Sequence, residues 1–116
     1  MKIIKTREEL LKLLDGNKDL IIDDDVTIEF STAREDVRNV RCFNLFMRKG
    51  ADKFDLSICG DFNGWNFTGG DFNGWNFTGR DILYNAFFCC YGKIIKRGKI
   101  KVRHPKAAKP IELESV

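Results

Sequence analysis

Residues 60–69 read GDFNGWNFTG, and residues 70–79 read GDFNGWNFTG again, identical at all ten positions. Inside each decapeptide runs a looser five-residue period. Asp or Asn precedes a large apolar residue at Asp61-Phe62, Asn66-Phe67, Asp71-Phe72, Asn76-Phe77 and Asp81-Ile82, and Ala86-Phe87 keeps the phase without the polar residue. Upstream, Asn39-Val40 and Asn44-Leu45 share the spacing, and Asp55-Leu56 precedes Asp61 with a one-residue slip. An irregular loop is expected around residues 49–53. A five-residue period fits neither a helix nor a flat strand. It fits a solenoid in which each side uses five residues, a short strand followed by a corner. Phe62, Phe67, Phe72, Phe77, Ile82 and Phe87 are then expected to point inward. Asp and Asn suit the corners, where their side chains bond backbone amides. Gly64, Gly69, Gly74 and Gly79 supply either close packing or unusual backbone angles.

Working outward, Thr6 and Glu9 form a capping box ahead of Leu10, Leu11, Leu13 and Leu14. This predicts a short amphipathic helix over about residues 7–15, stopped by Gly16. Leu20 and Ile22, then Val26, Ile28 and Phe30, alternate at the period of strands. Asp23, Asp24 and Asp25 between them read as a solvated turn or a cation site. The expected fold is mainly β: a right-handed parallel β-helix of two to three coils, with the helix covering its N-terminal end. One domain of 116 residues follows, divided into a helical cap (1–18), a β-solenoid (19–91) and a basic C-terminal strand and tail (92–116).

The tract resembles the pentapeptide-repeat family, whose signature is a small residue, then Asp or Asn, then Leu or Phe, then two variable positions. The resemblance covers residues 60–88 well and 39–59 loosely. It implies a quadrilateral β-helix with four pentapeptides per coil. In that square section, Phe62 stacks on Ile82, and Trp65 and Trp75 sit on opposite sides of one coil. The chain departs from the family pattern at Trp65, Gly70, Trp75 and Arg80, which occupy the position of the inward small residue. Either the tryptophans turn outward or the coil is not square. The whole chain is also similar to small proteins of phages and prophages of gut Firmicutes, which carry a variable run resembling DINAWNINAR, then an aromatic and cysteine stretch, then a lysine-rich stretch. Here that order reads GDFNGWNFTG twice, then RDILYNAFFCCYGKIIKRGK. The likeness implies a mobile-element setting and no reaction.

Composition narrows the function. Apolar residues make up 43% and charged residues 32% of the chain, which argues against wholesale disorder. No apolar run is long enough to span a bilayer as a helix, and the N-terminus becomes charged before a signal-peptide core forms. A bacterial cytoplasm is the expected compartment. Cys42, Cys59, Cys89 and Cys90 have no zinc-site spacing and read as small buried hydrophobes. His104 is the single histidine, so no nucleophile, base and orienting group can be assembled around imidazole. No enzyme activity, metal or cofactor is expected.

Charge is uneven. Residues 93–109 carry eight Lys or Arg and no acid, against a net charge of +3 for the whole chain. Such a segment reads either as a solvated edge strand protected by lysine or as a phosphate-binding surface. The leading functional expectation is a non-catalytic phage or prophage protein that binds and restrains a host protein, a defence or DNA-processing enzyme foremost. Its candidate contacts are Trp65, Asn66, Trp75 and Asn76. The alternative is a nucleic-acid-binding module using Lys96, Arg97, Lys99, Lys101 and Arg103. Asp61, Asp71 and Asp81 are too few for a DNA-mimicking row of carboxylates.

Overall fold

The structure is a computed structural model. It describes residues 1–84, 88–90, 94–96, 100–102 and 114–115, and side chains only as far as Ile82 together with Ile94. In chain order the elements are β1 (Lys2–Ile4), α1 (Arg7–Leu13), β2 (Leu20–Ile21), β3 (Val26–Ile28), β4 (Val40–Arg41), β5 (Leu45–Lys49), β6 (Asp52–Lys53), β7 (Leu56–Ser57), β8 (Phe62–Asn63), β9 (Phe67–Thr68), β10 (Phe72–Gly74), β11 (Phe77–Gly79), β12 (Ile82–Tyr84), β13 (Phe88–Cys90), β14 (Ile94–Lys96), β15 (Ile100–Val102) and β16 (Glu114–Ser115). Parallel pairing stacks the strands other than β6 as a β-solenoid of about four turns.

Among the described residues the solenoid has three sides. Sheet I runs β2-β4-β8-β11-β14-β16, sheet II runs β1-β3-β5-β9-β12-β15, and sheet III runs β7-β10-β13. Phe62 therefore stacks on Phe77, and Phe67 on Ile82. The quadrilateral section is not formed, and Phe62 does not stack on Ile82. The physical reason is the count: three five-residue sides close a coil, and the repeat tract returns to the same corner after 15 residues. Earlier coils use 19 to 24 residues because they carry excursions. One is the β5–β6 hairpin, where Gly50 turns the chain with φ 59.

Sheet III shows how an irregular N-terminal part joins the regular tract. In chain order, α1 lies between a sheet II strand and a sheet I strand, where later coils place β7, β10 and β13. The next coil fills that side with a turn. Thr32 donates its N–H to Asp55 O and its Oγ1 to Ser57 O, and accepts at Oγ1 from Ser57 N. Arg7 clamps the helix to this turn with two bonds to buried Asp36, at 2.7 and 2.9 Å. That guanidinium holds the Asp36 carboxyl below its ordinary range.

The helix ends at Leu13, earlier than expected, with Leu14 already extended and Gly16 outside the turn's positive-φ positions. Thr6 caps it by accepting from Glu9 N. Leu10 is buried and Leu14 packs on the core, but Leu11 and Leu13 are exposed. At 3.6 residues per turn, 10 and 14 share a face while 11 and 13 fall to either side. The helix thus seats one edge on the core rather than covering it with all four leucines. The solenoid also reaches past the expected limits of 19 and 91: β1 pairs with β3, and β14 and β15 pair with β11 and β12.

Inside, Phe62, Phe67, Phe72, Phe77 and Ile82 are at most 1% exposed. Phe62 and Phe77 stack at 4.7 Å with their planes 14° apart. Rings from neighbouring sides meet edge to face, at 5.4 Å for Phe72 and Phe77 and 6.3 Å for Phe62 and Phe67. Both geometries suit the quadrupoles of aromatic rings. On sheet III the partner of Phe72 is Phe88, one residue later than the period predicts. Phe87 lies outside the described residues. Gly74 gives room to this packing, because a Cβ there would press on Phe72 and Ile58. Close packing, not positive φ, is the reason for glycine at that position.

The corners are held by ladders of Asx side chains. In one, Asp19 accepts from Asn39 Nδ2, Asn39 from Asp61 N, and Asp61 from Asn76 N. In the second, Asp25 accepts from Asn44 N, Asn44 from Asn66 N, and Asn66 from Asp81 N. In the third, Ser31 accepts from Asp55 N and Asp55 from Asp71 N. The partners lie one coil away, not in the same turn as the sequence pattern suggests. In the first two ladders an amide stands between carboxylates, so like charges are never neighbours at the ~4.8 Å spacing of strands.

Two outcomes follow. Phe72→Ala should cost about 3–5 kcal/mol in chemical denaturation, the range for buried Phe truncations, and a loss under ~1 kcal/mol would contradict its place in the core. Deleting residues 65–79 removes one whole coil and keeps every later strand on its own side. Deleting only residues 70–79 moves the later strands onto a different side. The larger deletion should therefore lower the unfolding temperature less than the smaller one.

Candidate functional site: a groove beside Trp65

Each strand of sheet I is followed by a corner that leads into sheet II. There Phe43 donates its N–H to Asp24 O, Trp65 to Phe43 O, and Arg80 to Trp65 O. This backbone ladder brings three large side chains into one column. The rings of Phe43 and Trp65 stack at 4.4 Å with an interplanar angle of 5°. The Arg80 guanidinium lies over Trp65, its Cζ 4.9 Å from the ring centroid. Phe43 and Arg80 thus stack on Trp65, and the residue keeps 40% exposure.

Strand alternation sends the second residue of each sheet I strand outward. Arg41, Asn63 and Thr78 are in register there on successive coils. Between this row and the Trp65 column lies a groove of about 320 Å³, with Asp23 also on its wall. Arg41 and Arg80 have no carboxylate within 4.0 Å among the described residues. Behind the groove, burial pushes the Cys42 thiol up to about 12, with a smaller contribution from Asp25. It is a packing group at neutral pH. Asp24 is held low by the N-terminal amine at 2.8 Å and by the Asp25 N–H.

The structure separates the residues that the sequence grouped. Trp65 lines the groove. Trp75 stands at the corner from sheet III to sheet I, 51% exposed, its N–H bonded to Gly60 O. The identical decapeptides cover different pairs of sides, so their tryptophans face different directions and lie at neighbouring corners rather than opposite ones. Asn66 and Asn76 are ladder residues. Lys96 lies in β14 opposite Gly79, and Lys101 in β15 opposite Leu83. Arg97, Lys99 and Arg103 lie outside the described residues. Sequence reasoning missed Phe43, Arg41 and Arg80 as companions of Trp65. A 15-residue period would have aligned Arg80 with Trp65; nothing short of the fold aligns Phe43.

Among the described residues, no group of three or more His, Cys, Asp or Glu is placed to hold a metal ion, and no helix is long and apolar enough to cross a membrane. Comparison of the chain with family models, with curated proteins and with solved structures finds no match.

The ladder position of Asn66 gives a sharp test. Asn66→Asp keeps the oxygen that accepts from Asp81 N but sets two carboxylates side by side, with Asp81 next. It should lower stability by roughly 0.5–1 kcal/mol at pH 7, as like charges opposed across strands do. The loss should vanish below the carboxylate range, as read by thermal unfolding at pH 7 and pH 3. A variant as stable as the parent at pH 7 would contradict the ladder.

Proposed function

We propose that this chain is a non-catalytic binding protein that presents a rigid wall to a host macromolecule, as a phage- or prophage-borne protein restraining a defence or DNA-processing enzyme. The observation that carries the reading is the groove beside Trp65: two guanidiniums without carboxylate partners among the described residues, on a wall whose backbone is bonded from coil to coil. A preformed wall reduces the ordering cost of association. Arg and Trp are the residue types that dominate binding energy at protein interfaces. Imitation of DNA is disfavoured. The Asx-ladder carboxylates of Asp19, Asp25, Asp55 and Asp61 accept bonds from neighbouring coils, and the outward row of sheet I is Arg41, Asn63 and Thr78 rather than acidic.

A second reading, nucleic-acid binding, draws on Lys96 and Lys101, which β14 and β15 carry into the stacked sheets. Capture from a nuclease-treated bacterial lysate decides between the two. The parent protein should retain a stoichiometric protein partner, and the double variant Arg41→Gln/Arg80→Gln should release it. Retention of nucleic acid alone before nuclease treatment, with steep loss as salt rises, would replace the first reading with the second.

A further inference from the structure

The groove has a chemistry that selects among partners. Trp65 has Phe43 stacked on it and the Arg80 guanidinium over it. A base cannot stack there without displacing one of them, so the exposed tryptophan is not the platform that single-stranded nucleic acids use. Among the described residues that line the groove, the cations are not a continuous track either. Arg41 and Arg80 stand two coils apart, roughly 10 Å by strand spacing, with neutral Asn63 and Thr78 between them and Asp23 on the same wall. A phosphodiester strand offers acceptors but no N–H donors along its backbone to the neutral Asn63 and Thr78 side chains. A peptide carries separated carboxylates among amide groups. Arginine forks pair with carboxylates in a planar, two-bond geometry, and the Asn63 and Thr78 side chains can exchange hydrogen bonds with a peptide backbone.

We infer that the groove between the Phe43–Trp65–Arg80 column and the Arg41–Asn63–Thr78 row binds an acidic peptide segment, with Arg41 and Arg80 each pairing with one of its carboxylates. The inference rests on the reading of the chain as a binding protein and specifies the surface that its protein partner offers. The contact places Arg80 in advance: its Cζ lies 4.9 Å from the centroid of the Trp65 ring, so less side-chain freedom is lost when it meets a carboxylate.

The test is an NMR titration of the full chain in 150 mM salt, with amide and indole signals assigned. The probes are blocked hexaglutamate, blocked hexaglutamine and a hexathymidylate oligonucleotide. Hexaglutamate should shift the signals of Arg41, Asn63, Trp65, Thr78 and Arg80, and hexaglutamine should not. Arg41→Gln and Arg80→Gln should each weaken the hexaglutamate effect by about tenfold, a 1.4 kcal/mol change in binding. Arg41→Gln should unfold at the parent temperature, since Arg41 has no carboxylate within 4.0 Å among the described residues, and Arg80→Gln should stay folded with a slightly lower unfolding temperature because it loses the contact with Trp65. Larger shifts of the groove signals by hexathymidylate, shifts confined to residues 93–109, or an undiminished response in the two variants would overturn the inference. So would the absence of any shift. A partner that is still captured from lysate by the Arg41→Gln/Arg80→Gln protein would sink the groove assignment alone. Failure of the parent to capture any protein would sink the binding-protein reading itself.

Discussion

Hydrogen-bond stacking of coils fixes the rise of this solenoid, and every other feature follows from fitting side chains to that rise. Parallel strands lie about 4.8 Å apart. A ring that points inward must therefore lie nearly flat against the ring of the next coil, as Phe77 does on Phe62. Where an aromatic ring fills a side, little room is left for a second large side chain, whereas the aliphatic sides bury two, as Val26 with Ile28, Leu45 with Met47 and Leu56 with Ile58. The other inward position of each side in the repeat tract is glycine, and at Gly74 the nearest atoms belong to Phe72 and to Ile58 of the preceding coil. Large residues that have no room inside go to the corners. That is why Trp65 and Trp75 are exposed although their neighbours are core residues.

The corners pose a second problem, because each one turns the chain and leaves backbone N–H groups without strand partners. An unpaired amide out of reach of water is costly. The Asx ladders answer this from the adjacent coil. Each side chain accepts an N–H one coil away, so the same residue type recurs at every corner. Asn residues placed between the Asp residues keep two of the ladders from stacking carboxylate on carboxylate. The polar residue of the five-residue period is therefore a structural component on the same footing as the phenylalanine. Asn66 and Asn76 are committed to the coil before any partner arrives.

The same stacking that builds the core builds the groove. Corner residues one coil apart fall on top of one another, which turns Phe43, Trp65 and Arg80 into a column although they are spread over nearly 40 positions of the chain. Outward strand residues line up in the same way, which sets Arg41, Asn63 and Thr78 beside them. A short rise and a rigid wall convert scattered residues into a row with fixed spacing. Recognition by such a surface depends on which residue types fall in the row.

Much of the fold was legible in the sequence because the information is local and repeated. The period at Phe62, Phe67, Phe72 and Phe77 identified a solenoid and its inward residues, since each side obeys the same steric rule. The Thr6 cap was legible for the same reason: one side chain meets an amide three residues away. The number of sides was not legible. Five residues per side is compatible with three or four, and the choice depends on how Phe62, Phe67, Phe72 and Phe77 pack edge to face across the interior. The seating of this segment by Leu10 and Leu14 rather than by all four leucines was equally hidden, because it goes with the distant Asp36 that holds Arg7. So was the difference between two identical decapeptides. Their sequence is the same, but ten residues cover two of three sides, and the tertiary structure gives Trp65 an arginine and a phenylalanine as neighbours while it turns Trp75 toward another corner.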